Sequence, residues 1–296
     1  KSMEAPIWVQ IDQQTDPSVI QSLHEQLLQA LEDCRLVFKD WPIMRKKMTE
    51  IISEMDYAPS ALSSDKLHET KAFLHWIEDH HFTFLGLCDY ELKKTDDCST
   101  LTPLPKSGLG ILRENHIQYD LLTDLMPAAC ELMNTENILV MSKTNWLSTV
   151  HRRVYSDYIG IKRFNAAGEI IGERRVIGLY TSAAYHTSPR HIPLLRHKVA
   201  QVMRRSELPP RSHAGKVLLN ILETLPRDDL IQAPEEELLS LAMGVFQLQE
   251  RKRVRLFART DIYGHFISCL VFAPKERFNT KLLQLFRDVL ADAFNS

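Results

Sequence analysis

The stretch Tyr158-Ile159-Gly160-Ile161-Lys162-Arg163-Phe164, followed by Asn165-Ala166-Ala167-Gly168 and then Glu169–Tyr180 (EIIGERRVIGLY), decides the fold. Both arms are rich in β-branched and aromatic residues, which suit a pleated, half-buried surface. The four residues between them are turn formers, and Gly168 fits the positive-φ position such loops require. The pattern predicts an antiparallel hairpin. Upstream, Phe82–Leu85 and Cys88–Leu92 read as another strand, with a polar loop at 93–100. Short strand candidates follow at 109–113, 138–142 and 149–155, with a helical stretch at 118–134. Residues 82–185 are expected to form one α+β domain with an antiparallel sheet.

Helical patterns lie on both sides. Ile7, Val9 and Ile11 alternate with Trp8 and Gln10, a short strand signal. Asp16-Pro17 then reads as N-cap and first helical residue. Ile20, Leu23, Leu27, Leu31, Cys34 and Phe38 recur at helical spacing, and Met44, Met48, Ile51 and Met55 continue the stripe past Pro42. One long helix is expected, or two collinear ones kinked near Asp40-Trp41-Pro42. The methionines are read as packing residues. A small, polar linker at 57–65 leads to a helix carrying Leu67, Phe73, Leu74 and Ile77.

Beyond the hairpin, residues 186–250 read as helices. Leu195, Val199 and Val202 share one face. Ser212 can cap a helix that Pro226 stops, and Pro234 with Glu235, Glu236 and Glu237 starts another. The end reverts to strand. Val254, Leu256 and Ala258 alternate with Arg253, Arg255 and Arg259, which predicts an apolar buried face and an arginine-bearing solvated one. Phe266–Phe272 pairs back, and Asn279 can cap a last helix. This β-β-α run is about half of a ferredoxin-like unit and looks cut short.

Composition limits the function classes. The 296 residues carry 44% hydrophobic and 25% charged residues and a net charge of −2, which excludes wholesale disorder and global polycation behaviour. No run of about 18 apolar residues suggests a membrane span, and no signal peptide is visible. The start at Lys1 suggests an excised piece of something larger. Glycine totals only 10, too few to spend freely around a dinucleotide or in a P-loop. The five cysteines, Cys34, Cys88, Cys98, Cys130 and Cys269, are odd in number and widely spaced, which speaks for a reducing compartment and against a zinc site or disulfide framework.

Four constellations carry residue types suited to chemistry. Gly108-Leu109-Gly110 lacks the third glycine of a dinucleotide fingerprint, since Arg113 stands in its place. The histidine groups 75, 80, 81 and 186, 191, 197 lack metal-ligand spacing. Ser182 and Ser188 near His186 lack the frame of a nucleophile elbow. Residues 150–211 hold twelve Lys/Arg (152, 153, 162, 163, 174, 175, 190, 196, 198, 204, 205, 211) against four acids (157, 169, 173, 207). The acidic run 228, 229, 235, 236 and 237 offers them an internal partner. No catalytic, cofactor-binding or metal residue is assigned.

Longer strings carry a resemblance. Ser148–Gly160 and its continuation GERRVIGLYTSAAY (172–185) resemble the large bacterial NAD-specific glutamate dehydrogenases. So do HFTFLG (81–86), GLGILR (108–113), IPLLRHKV (192–199), KVLLNILETLPRDDL (216–230) and LQERKRVRLFAR (248–259). The resemblance implies a non-catalytic, N-terminal regulatory or architectural segment of a huge enzyme. The enzyme would convert L-glutamate to 2-oxoglutarate and ammonia, with NAD bound elsewhere in it. It implies the tail of an ACT-like module at 1–56 and a PAS-like α+β domain at 65–185. A helical linker region would follow at 186–250, and a second, truncated ACT-like (ferredoxin-like) module at 251–296. The alternatives are a free-standing amino-acid or metabolite sensor and an RNA-binding adaptor.

Three expectations complete the reading. The chain is cytoplasmic. Its partners are a second copy of itself, the remainder of the parent chain and a small-metabolite effector, with no membrane and no nucleic acid. A PAS-like pocket of roughly 300 Å³ or more would be walled by Phe82–Leu87, Val150–Tyr155 and Val176–Tyr180.

Overall fold

The computed structural model describes residues 6–58, 63–94, 99–114, 137–248, 253–262, 264 and 266–294. The helical stretch expected at 118–134 and residues 59–62 of the linker expected at 57–65 lie outside them. Residues 7–11 form no strand: Ile7, Trp8, Val9 and Ile11 are exposed, with no pairing partner among the described residues. Asp16 caps helix α1 (Pro17–Glu54) by accepting the Ser18 N–H at 2.8 Å. The helix runs through Pro42 unbroken. It is docked on both sides of the proline, by buried Asp40 before it and by Met44, Met48 and Ile51 after it. The methionines are core residues, as their spacing suggested. Helix α2 (Ser64–Trp76) packs Phe73 and Leu74 into the same core.

The sheet order is β2-β1-β6-β5-β4, every pair antiparallel, with β3 also paired to β1. The strands are β1 (Phe82–Lys94), β2 (Ser99–Pro103), β3 (Leu109–Gly110), β4 (Leu139–Leu147), β5 (Tyr155–Phe164) and β6 (Ile170–Tyr180). The hairpin that set the fold class is present, with Gly168 at φ 80°. Within this domain three strand expectations fail: of 109–113 only Leu109 and Gly110 are strand, and a turn follows at 111–114. β2 begins inside the stretch read as a polar loop, and Leu101 just beyond that stretch is buried opposite Leu92. Residues 149–154 are a tight turn instead of a strand, closed by Arg152 N–H to Val150 O and by the Ser148 side chain. Apolar residues fill both faces of the sheet. Phe82, Phe84, Ile159, Ile161 and Val176 pack on the helices, while Leu85, Cys88, Tyr90, Tyr158, Ile177 and Leu179 form a second cluster.

Helices α3 (Ser182–His186), α4 (Leu195–Arg205), α5 (His213–Thr224), α6 (Arg227–Gln232) and α7 (Glu235–Leu248) follow. Ser212 caps α5 by accepting the Gly215 N–H at 3.0 Å. Strands β7 (Arg255–Thr260) and β8 (Ile267–Phe272) form a separate antiparallel ribbon, followed by α8 (Thr280–Phe294), which Asn279 caps at Leu282 N–H.

The faces of the ribbon are the reverse of expectation. Phe257 lies on the arginine face and packs with Phe272 and the helical core, and Gly244 of α7 leaves room for its ring. Arg259 follows it inward to an ion pair with Asp229. Val254 and Leu256 are left about half exposed. One inward aromatic, together with a buried acid in reach, outweighs the alternation of arginine with aliphatic residues.

Candidate functional site

The residues singled out in the sequence serve structure. Gly110 donates its N–H to Asp40 Oδ2 at 2.8 Å, and Arg113 binds the same carboxylate with two N–H groups at 2.6 and 2.5 Å. The Gly-Leu-Gly segment therefore docks α1 onto the sheet. His81 stacks on Trp76, His186 contacts the Ser182 carbonyl, and Ser188 donates to Glu223. Among the described residues, no group of three or more His, Cys, Asp and Glu is placed to hold a metal ion.

The basic excess at 150–211 is dispersed through the fold. Arg174 pairs with Asp89 and Glu54, Arg175 with Glu173, Arg196 with Glu69 and Arg205 with Glu236. Only Arg205 of these uses the acidic run that the sequence offered as partner. Asp228 and Asp229 turn instead to Lys143 and Arg259, both outside the basic segment.

Those two acids sit in the polar junction between sheet, helices and ribbon. Lys143 on β4 reaches Asp157 Oδ1 on β5 at 2.6 Å and Asp228 Oδ2 on α6 at 3.2 Å. The Tyr185 hydroxyl donates to Asp228 at 3.1 Å, and the Tyr180 N–H donates to Asp157 at the same distance. Arg152 lies over the Tyr185 ring, and Arg227 donates to the Tyr185 and Thr187 carbonyls. Lys198, half-buried, donates to the carbonyls of Leu230, Ile231 and Ala233 at the C-terminal end of α6. Burial lowers the pKa of this ammonium to about 8.

Burial pushes the Asp157 carboxyl up to about 6, against the pull of Lys143 and with a further push from Asp228. Burial also opposes the charge on Lys143, but Asp157 and Asp228 outweigh it and hold that pKa up. The folded chain thus binds the Asp157 proton more tightly than the unfolded chain does. The resulting stabilisation is complete below the ordinary value of 3.8 and is lost as pH rises through about 6. Unfolding of the native chain and of Asp157→Asn should therefore be compared by urea titration across this range. The native-minus-variant stability is expected to fall between those two pH values, and a flat difference would contradict the assignment.

A cleft of about 530 Å³ adjoins the junction, lined by Asp229, Glu237, Ser240 and Leu241 and by consecutive residues 256–260 of β7. Asp261 N–H bonds Phe266 O at 2.9 Å, so the alternation of an antiparallel ladder turns the main-chain groups of Leu256, Ala258 and Thr260 away from β8. Among the described residues, no strand pairs with this edge of β7, which borders the cleft. The expected PAS-like pocket walls differ: Phe82, Phe84, Leu87, Val176 and Tyr180 are buried in the core, whereas residues 151–155 are exposed. The hollow beside Phe82, Thr83 and Phe84 measures only about 150 Å³.

Residues 192–251 match the family model described as glutamate dehydrogenase, helical motif 1, and residues 255–296 match glutamate dehydrogenase, ACT2 domain. The whole chain is 34% identical, over 299 aligned residues, to an NAD-specific glutamate dehydrogenase of Halomonas elongata, and covers 18% of it. Against the enzyme of that name from Pseudomonas aeruginosa, identity is 34% with 98% of the chain and 18% of the relative covered. Against that from Mycobacterium tuberculosis it is 26%, with 98% and 17% covered.

The chain matches the N-terminal region of the NAD-specific glutamate dehydrogenases.

The glutamate dehydrogenase ACT2 match falls on the β7–β8 ribbon and α8, and the helical-motif match takes in α4 to α7. The polar junction lies where these two regions meet the sheet. The chain spans less than a fifth of the length of these relatives. Among the described residues, no helix is long and apolar enough to cross a membrane.

Proposed function

We propose that this chain is a regulatory or architectural segment of a cytoplasmic NAD-dependent glutamate dehydrogenase. The parent enzyme would convert L-glutamate to 2-oxoglutarate and ammonia, with NAD and the catalytic residues outside the segment. One observation carries the reading: similarity to large dehydrogenases extends over the whole chain yet covers under a fifth of them. Residues 65–185 would be a PAS-like unit, supported by the antiparallel sheet with helices packed on it. Residues 1–56 would belong to a first ACT-like module, 186–250 to a helical linker and 251–296 to a second such module. A small-metabolite effector would bind beside that module, where the larger cleft lies. The decisive experiment is calorimetry with NAD together with an NADH assay on the isolated chain. Neither micromolar binding nor glutamate-dependent NADH is expected, and either would sink the reading.

The same reading gives the segment a second copy of itself as partner. Helix α8 has no buried residue, and Leu283, Leu285, Val289 and Phe294 are exposed on it. With the β7 edge, unpaired among the described residues, this leaves both an apolar face and main-chain groups that template association. Light scattering at about 50 μM is expected to give a dimer mass, and deletion of 251–296 to give a monomer. A monomeric mass for the intact chain contradicts this.

A further inference from the structure

We propose that the adjacent acids Asp228 and Asp229 on α6 couple the C-terminal ribbon energetically to the antiparallel sheet. The two carboxylates face different neighbours. Asp229 accepts from Arg259 on β7 at 3.3 Å and from the Ser268 hydroxyl on β8 at 2.9 Å. Asp228 accepts from Tyr185 and pairs with Lys143, which is bound in turn to Asp157 on the central part of the sheet. Consecutive residues of a helix point about 100° apart, so one short helix grips both bodies at once.

The helix is held so that it moves as a unit. Arg227 at its start bonds the carbonyls that follow the end of β6, and Lys198 gathers the carbonyls of its last residues. Asp228 and Asp229 therefore cannot shift independently. Withdrawal of Arg259 from Asp229 leaves a buried carboxylate with a single hydroxyl donor, Ser268, among the bonds described. Relief requires α6 to turn, and that turn pulls Asp228 from Lys143. A second contact, Ser142 Oγ to Asp261 Oδ1 at 2.5 Å, joins β4 directly to the ribbon and is the competing route. The cleft lies against Asp229 and Arg259, so an occupant there acts on the first link of the chain of bonds. The biological meaning rests on the regulatory reading, but the coupling is a property of this chain alone.

A double-mutant cycle with native-state hydrogen exchange tests it. The variants are Arg259→Gln, Lys143→Met and both together, each also made in a Ser142→Ala background. Arg259→Gln is expected to speed exchange in β7 and β8 and also in β4 and β5. The combined variant should fall short of the product of the single effects by about 5-fold or more. Ser142→Ala should leave that shortfall in place. If Arg259→Gln unfolds the ribbon, Ser268→Ala replaces it as the milder probe and must act in the same direction. Effects confined to the ribbon, effects that multiply, or a shortfall abolished by Ser142→Ala would each overturn the proposal. None of these outcomes bears on NAD binding, so failure here is distinct from failure of the regulatory reading.

Discussion

Replacing Arg175 by alanine is expected to cost about 3–5 kcal/mol of stability, because it strands a buried carboxylate. Arg175 on β6 is 1% exposed and Glu173 is fully buried. The guanidinium donates from Nε to Glu173 at 3.0 Å and lies 4.0 Å over the Tyr90 ring. The Tyr158 hydroxyl donates to the other oxygen of Glu173. Burial opposes the charge on Arg175, while Tyr158, Glu173 and Tyr90 together hold its pKa up. Gly160 opens the space this network needs, since a Cβ there would stand 2.1 Å from Glu173 Oε1. Removal of the arginine takes away the counter-charge and the cation over the ring together. Removal of both charges, as Arg175→Met with Glu173→Leu, should recover most of the loss, leaving about 1 kcal/mol for the Tyr158 hydrogen bond. Urea unfolding followed by circular dichroism measures all three proteins. A loss below about 1 kcal/mol for Arg175→Ala would show that water reaches the pair.

How far the sequence could be read follows from the range of each interaction. The hairpin at 155–180 was legible because its partners are close in sequence and the turn announces itself at Gly168. Caps at Asp16, Ser212 and Asn279 were legible for the same reason: each bond spans two or three residues. The methionine stripe of α1 was legible from periodicity. Strand β2 was not, because its polar approach hides a single buried Leu101 whose partner on β1 can only be found in space. The ribbon faces were misread because local alternation was weighed without Asp229, thirty residues away from Arg259. The junction acids stand out in the sequence only as a charge run, because Lys143, the partner of Asp228, lies 85 residues upstream. Gly108-Leu109-Gly110 and Arg113 drew attention for a chemistry they do not match. Their partner, Asp40, lies in the helix stripe where only apolar spacing was being read.

That last junction gives the second large effect: Gly110→Ala is expected to destabilise the chain by about 2–4 kcal/mol. Gly110 has φ 61°, a left-handed conformation that side chains resist. A Cβ there would also stand 2.1 Å from the Leu85 carbonyl on β1, a backbone atom that cannot swing aside. The strand pair must part, and with it goes the N–H that Asp40 accepts. Asp40→Ala attacks the same contact from the helix side. It leaves the buried Gly110 N–H unsatisfied, at about 1–3 kcal/mol. Arg113, whose side chain is 37% exposed, can turn to water and adds little. Because both changes break one junction, the double variant should cost less than the sum of the two. Proteolysis under native conditions should find α1 more readily cut in both single variants, since a long helix undocked from its sheet exposes its backbone. A Gly110→Ala protein within about 0.5 kcal/mol of the native chain would sink this account.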